Sequence, residues 1–212
     1  LTDPIVSLYN EYETSIITDI ARRLGNLDFS SAAWQVQRLT ESGALYKDVL
    51  VQLAKQTGKS EATLREIFKK AGVKAISFDD KIYKAAGLNP IPLNLSPAML
   101  KALTAGLSKT NGVLSNLTMT TAISAQKAFI GAADMAYLQV STGAMSYDQA
   151  IKMAVKKMAA DGLSVVDYAS GHQDKIDVAM RRTVLTGVGQ TAAELQVQRA
   201  EEMGSDLVQV SA

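Results

Sequence analysis

The spacing of apolar residues predicts two long helices. In the stretch 174–203, large apolar side chains recur at four-residue intervals, which keeps them on one face of a helix. These positions are Ile176, Met180, Val184 and Val188. The stretch 118–142 has no proline and is rich in Ala, Thr, Ser and Gly, with larger apolar residues spaced apart. Its composition favours a buried central helix, with an assembly surface as the alternative. We expect these two helices to pack on each other.

Capping residues and glycines divide much of the remaining chain into shorter helices. A serine, or an aspartate followed by proline, begins each of several apolar-periodic segments, and a glycine follows the last periodic residue. The predicted shorter helices are 4–24, 32–42, 45–57, 60–72, 77–86, a helix from Pro97 to about Leu107, and one between Ser146 and Gly162. We expect Gly43, Gly58 and Gly72 to act as helix ends.

Two short segments have a strand-like pattern. Residues 165–169 begin with Val165 and Val166, and residues 206–211 alternate apolar and polar side chains. Because both segments flank the final helix, we predict that they pair. The predicted fold is therefore mainly α, a multi-helix bundle with a small β element. A two-stranded ribbon is marginal in water, so more strands are expected beyond residue 212, in a longer polypeptide.

A proline-rich segment predicts the domain organisation. Three of the four prolines lie in residues 87–97, where each restricts its own φ and the residue before it. The segment also carries leucine and isoleucine, so we expect it to pack along a surface. The sequence thus suggests an N-terminal helical region, 1–86, a connector, 87–97, and a long-helix region, 98–212, that ends in the start of a small α+β unit.

Composition narrows the class of protein. Hydrophobic residues make up 47% of the chain and charged residues 20%, which is typical of a globular protein. Cysteine is absent, which excludes disulfides and thiolate metal sites from this sequence. No apolar run reaches the roughly 20 residues that a membrane-spanning helix needs. We therefore expect no membrane partner.

Motifs for catalysis or cofactor binding are missing from the sequence. His172 is the single histidine, and no HExxH, cysteine-cluster or GxxxxGK[ST] motif occurs. The GVGQT run at 187–191 lies inside a helical pattern, where its two glycines favour close helix packing or a kink. The sequence thus predicts no enzymatic activity, no cofactor, no metal site and no small-molecule substrate.

Basic residues offer one alternative function. The net charge is +1 and neither half is strongly basic, which argues against a dedicated nucleic-acid domain. One local excess of lysine could give weak DNA contact in a helical DNA-binding module. Its members are Lys69, Lys70, Lys74, Lys81 and Lys84. The pair Arg22 and Arg23 ends the first predicted helix, and we interpret it as a solvated helix end, with a phosphate contact as the alternative.

Several segments together carry a family resemblance. They are LTMTTA (117–122), STGAMSYDQAI (141–151), IDVAMRRTVLTGVGQT (176–191), RAEEMGSDLVQVSA (199–212) and AGLNPIPLNLSP (86–97). In these segments the chain resembles the tailed-phage minor capsid proteins, the minor head proteins associated with the portal.

The resemblance implies a structural component of a phage or prophage virion that acts in head assembly, DNA packaging or ejection. Its implied partners are the portal protein and, as a further candidate, the major capsid protein. Its implied location is the capsid interior or portal region, after assembly in the host cytoplasm.

Overall fold

A computed structural model describes residues 3–167 and 173–205 and is mainly helical, as the sequence predicts. Its elements, in chain order, are α1 (Asp3–Gly25), α2 (Trp34–Ala85), a 3₁₀ turn (Leu93–Leu95), α3 (Pro97–Ser141), α4 (Tyr147–Asp161), β1 (Ser164–Asp167), β2 (Gln173–Lys175) and α5 (Ile176–Glu202). The predicted helices at 4–24, between Ser146 and Gly162, and at 174–203 agree with α1, α4 and α5 to within two residues.

The predicted breaks at Gly43, Gly58 and Gly72 are wrong, because α2 is one helix of 52 residues. A glycine inside a helix costs only about 1 kcal/mol. Burial of a long apolar stripe on α2 outweighs that cost. Members of the stripe are Leu45, Val49, Leu53, Leu64 and Phe68. At Gly72 an added Cβ would stand 2.7 Å from Cδ1 of Leu195, so the missing side chain admits α5 there.

The predicted end of a helix at about Leu107 is also wrong. Residues 97–141 form one helix of 45 residues, α3, which joins the two predicted helices. One face of its second half is fully buried, as expected for a central helix, at Ala122, Ala125, Phe129, Ala133 and Ala136. Its other face exposes Met119, Ile123, Met135 and Leu138. The second half of α3 therefore has a buried side of mostly small residues and an outer side on which four large apolar residues are exposed among polar ones.

The first predicted strand is present, as β1, and it pairs with a segment that the sequence did not suggest. Strand β2 lies antiparallel to β1, with Val166 opposite Asp174 and Asp167 opposite Gln173. Helix α5 consequently begins at Ile176. The predicted partner strand, 206–211, and His172 lie outside the described residues.

The chain divides into two compact units. Unit 1 comprises Leu1–Ile5, Lys59–Leu114 and Arg181–Ala212, and unit 2 comprises Val6–Gly58 and Ser115–Met180. Both are assembled from segments that are far apart in sequence. The suggested division into 1–86, 87–97 and 98–212 stays a prediction about domain organisation.

In unit 2, α1 buries an aromatic and aliphatic face. Tyr9, Tyr12, Ile16, Ile20 and Leu24 are at most 3% exposed. The Tyr12 hydroxyl donates a hydrogen bond of 2.9 Å to the Val49 carbonyl, which joins α1 to α2. Burial raises the pKa of this hydroxyl. A further aromatic contact in this unit joins Trp34 and Tyr137, whose rings stack with centroids 4.1 Å apart.

The interpretation of Arg22 and Arg23 as a solvated pair holds for one residue and is wrong for the other. Arg22 is exposed and pairs with Asp19. Arg23 is buried, with its guanidinium 3.0 Å from Asp19 Oδ2, 2.6 Å from Glu41 Oε2 and 2.5 Å from Asp48 Oδ2. Burial lowers the pKa of Arg23, but the hydrogen bonds and charges of Asp19 and Glu41 outweigh it and raise that pKa. Arg23 thus ties α1 to α2 through ion pairs.

Helix α4 begins with a capping box. The backbone N–H of Gln149 donates to the Ser146 hydroxyl oxygen, and the backbone N–H of Ser146 donates to the side-chain Oε1 of Gln149. Ser146→Ala should therefore lower the free energy of unfolding by about 1 kcal/mol, measured by urea denaturation. Ser108→Ala, in the middle of α3, is the matched control and should be neutral or slightly stabilising, since alanine is the better helix former. Equal effects of the two variants would contradict a capping role.

In unit 1, the predicted connector contributes to the core. Leu93 packs in one buried cluster with Ile76, Met99 and Leu195. Beside this cluster Arg199 is fully buried, with Nε 2.8 Å from Asp80 Oδ1 and Nη1 2.9 Å from Glu202 Oε2. The Ser96 hydroxyl bonds the same glutamate. These polar contacts connect α2, the start of α3 and the end of α5 within unit 1.

Candidate nucleic-acid interface

The five predicted lysines lie on the C-terminal part of α2, and all of them are exposed. Because α2 is continuous, each residue advances about 100° around the axis, which places Lys69, Lys70, Lys74, Lys81 and Lys84 within an arc of roughly 140°. We call this surface of unit 1 the lysine face. The sequence alone could not predict it, since helices that break at Gly72 would have no common axis.

The two acidic residues between the lysines turn toward α5. Asp80 pairs with the buried Arg199, and Asp79 Oδ2 accepts a hydrogen bond of 3.4 Å from Gln196 Nε2. Burial raises the pKa of Asp80, while the positive charges of Arg199 and Lys84 act in the opposite direction. Asp80 falls between Lys69 and Lys84 in the same arc, but its side chain is only 23% exposed and its carboxylate pairs with Arg199, so part of its negative charge is already compensated. From residue 69 to the end of α2, the remaining charges are positive.

Apolar residues border the lysine face. Phe78 and Ile82 are one helical turn apart and are 56% and 53% exposed. Glu66 is exposed one turn before Lys70 and marks the N-terminal limit of the positive surface. Spread along one helix, these lysines provide point charges suited to a polyanion backbone. They do not converge on a point where a reacting group could bind.

A second feature of unit 1 is a very close contact between α3 and α5. A methyl group added at Gly187 would overlap the Thr110 hydroxyl, and one added at Gly106 would overlap the Thr191 hydroxyl. On each helix a threonine follows the glycine by four residues. Because the two helices run antiparallel, each glycine faces the threonine of the opposite helix. Close packing is confirmed at Gly187 and is absent at Gly189, and α5 is continuous through both glycines. In unit 1 the contact lies at Gly106 and Thr110 of α3, and the packing of 118–142 on 174–203 stays a prediction.

Comparison with protein families decides the identity of the chain. The profile described as "Phage minor capsid protein 2" matches residues 1–212, the whole sequence. The chain belongs to this family. It is therefore a capsid component of the phage virion, as the resemblance of its segments implies. Comparisons with curated proteins and with solved structures give no match.

Metal-ligating groups do not cluster in the described part of this family member. Among residues 3–167 and 173–205, no three carboxylate, imidazole or thiol groups gather as a metal site would require. None of the helices in these ranges has the length and hydropathy to cross a bilayer. The features that sequence reasoning missed are the α3–α5 contact at Gly106 and the inward-facing aspartates. Only the first had a signal in the sequence, the repeated spacing of a glycine and a threonine four residues apart.

Proposed function

We propose that this chain is a structural, non-enzymatic head protein that associates with the portal and acts in head assembly, DNA packaging or DNA ejection. The observation that carries the proposal is the family match over all 212 residues. A helix-rich protein with no metal cluster in its described part suits a role based on contacts between proteins.

Exposed apolar residues support an assembly role. On the outer side of α3 in unit 2, Met119, Ile123, Met135 and Leu138 are 42–61% exposed. Large apolar side chains that recur along an exposed helix face are a common feature of protein–protein interfaces. The portal protein is the proposed partner, and the major capsid protein is a further candidate.

A co-purification experiment tests this function. The full chain is mixed with the purified portal ring and, separately, with major capsid protein from the same phage, and the mass of each complex is measured. We expect a stable complex with the portal ring, whose mass gives the number of copies bound. Absence of binding to the ring, together with stable binding to capsid protein, would contradict portal association.

DNA contact through the lysine face is a second candidate function. The specific observation in its favour is that Asp79 and Asp80 are directed toward α5, which leaves five exposed lysines on one side of α2. Lysine contacts with phosphates give binding that depends on salt and not on base sequence. Such contact suits a head protein that lies beside packaged DNA without reading its sequence.

The salt dependence of DNA binding tests the lysine face. If all five lysines contact phosphates, log K should fall with log salt with a slope of about −4.5 on duplex DNA. Replacement of Lys69, Lys70, Lys74, Lys81 and Lys84 by Gln should bring that slope close to zero. A matched control replaces five exposed lysines of unit 2, namely Lys47, Lys55, Lys127, Lys152 and Lys156. An equal loss in both variants would show that net charge alone matters and would contradict a defined face.

A further inference from the structure

An open groove runs along one side of the α3–α5 pair in unit 1. Its volume is about 830 Å³. Helix α3 lines it from Ala98 to Val113 and α5 lines it from Arg182 to Gln198. The glycine–threonine contacts form its floor, since Gly106, Thr110, Gly187 and Thr191 all belong to the lining. We call this surface the α3–α5 groove.

The length of the groove matches a short helix. The 15 steps from Ala98 to Val113 span about 22 Å at 1.5 Å per residue, which is about four helical turns. Ala102 and Ala105 line the α3 wall with short side chains, so an occupant's side chains have room beside them. Val113, at one end, is 43% exposed and offers an apolar contact. The facing wall, on α5, is mainly polar, with Thr183, Thr186 and Gln190. A channel of this length between two helices, with one small apolar wall and one polar wall, is suited to a third, amphipathic helix.

The charges of the groove indicate the chemistry of its occupant. Lys101 and Lys109 of α3 belong to the lining, against one carboxylate, Glu194 of α5. Lys101 lies toward one end of the groove and Lys109 toward the other, about 12 Å apart along α3. Lys109 Nζ donates a hydrogen bond of 3.4 Å to Gln190 Oε1, which places its amine over the groove between α3 and α5. The excess of positive charge favours a partner that carries carboxylates at intervals along its length.

We propose that the α3–α5 groove receives an amphipathic helix of the portal protein, with small apolar residues on the inserted face and carboxylates along its edges. This inference rests on the proposed portal association and names the surface that makes it. DNA is a poorer occupant, because phosphates would use the cations but not the apolar wall formed by Ala98, Ala102 and Ala105.

Filling the groove provides the first test. Ala105→Trp and Thr186→Trp each place a large side chain in the groove at an exposed position. Each should weaken binding of the full chain to the purified portal ring at least about tenfold, which corresponds to 1.4 kcal/mol. Ser108→Trp is the matched control: it lies on α3, is exposed and lies outside the groove lining. It should bind like the wild type. Thermal unfolding of each variant separates lost binding from lost folding.

Charge reversal provides the second test. Lys101→Glu with Lys109→Glu should weaken portal binding about tenfold and reduce its dependence on salt. Lys47→Glu with Lys152→Glu makes the same change of charge at exposed positions of unit 2, away from the outer side of α3, and should have little effect. Equal losses in both double variants would overturn the groove as the site of charge recognition.

Photo-cross-linking identifies the occupant. A benzoylphenylalanine at position 113, at the exposed end of the groove, should cross-link to one helical segment of the portal protein that contains Asp or Glu, and the same residue at position 108 should not. Cross-links to a second copy of this chain or to DNA would overturn the inference. If the wild type binds the portal ring and both tryptophan variants bind it equally well, the inference fails while portal association stands. If the wild type does not bind the ring, both fail.

Discussion

Replacement of Arg23 by methionine is expected to lower the free energy of unfolding by roughly 2 kcal/mol, because it leaves Glu41 and Asp48 without this counter-ion and Asp19 with Arg22 alone. The Arg23 side chain is 6% exposed, and it contacts Asp19, Glu41 and Asp48 within unit 2. Asp19, at 14% exposed, depends most on the guanidinium, whereas Asp48, at 55%, retains much of its contact with water. Urea denaturation followed by circular dichroism measures the effect.

The neighbouring arginine is a matched control for this variant. Arg22 is 62% exposed and also pairs with Asp19, so Arg22→Met should cost less than about 1 kcal/mol, as exposed ion pairs do. If the two variants unfold at the same urea concentration, burial of the Arg23 ion pairs does not contribute to the stability of unit 2. Arg23→Lys should recover only part of the loss, because one ammonium group cannot contact three carboxylates in the planar geometry of a guanidinium.

Gly187→Ala is the second substitution with a large expected effect. Its methyl group would overlap the Thr110 hydroxyl and stand 3.2 Å from the Cβ and Cγ2 atoms of that residue. Overpacking of this kind costs about 1–3 kcal/mol, so the variant should unfold at a lower urea concentration. Gly106→Ala should behave in the same way, because the opposing Thr191 side chain is at the equivalent position.

Two further variants make this prediction specific. Gly189 lies two residues along the same helix and has nothing within 4 Å of an added Cβ, so Gly189→Ala should be neutral or stabilise by up to about 1 kcal/mol. Thr110→Ala removes the hydroxyl that the methyl group added by Gly187→Ala would overlap, so the double variant should lose less than the sum of the two single losses. Additive losses would show that α3 and α5 do not meet at these residues.

The sequence predicted helices best where a local signal marks their ends. Helix α4 has a serine and a glutamine in a capping box at its start and Gly162 in a left-handed conformation at its end. Gly43, Gly58 and Gly72 look like the same end signal, yet α2 continues through them. The difference is tertiary: a core stripe far longer than one predicted helix holds α2 together, and at Gly72 the missing side chain is what admits Leu195.

The sequence identified the residues of the lysine face but could not predict how they are arranged. The local excess of lysine is visible in the sequence, but Asp79 and Asp80 make the region look balanced. Only tertiary contacts with Gln196 and Arg199, which lie far away in sequence, engage those carboxylates with α5. The α3–α5 groove was less visible still, since it requires the segments around Gly106 and Gly187 to meet although a large part of the chain separates them.

Because each unit is built from separate segments of the chain, recombination within the gene would affect both units at once. The chain passes from one unit to the other after residues 5, 58, 114 and 180, and each of these passages lies inside a continuous helix. A single crossover between two related genes, anywhere in the part that encodes residues 59–180, would therefore leave each unit with segments from both parent proteins. Phages exchange genes by recombination, and such hybrids would have mismatched cores in both units. We therefore expect recombination in related phages to exchange the part of the gene for residues 59–180 as a whole, with few crossover points inside it.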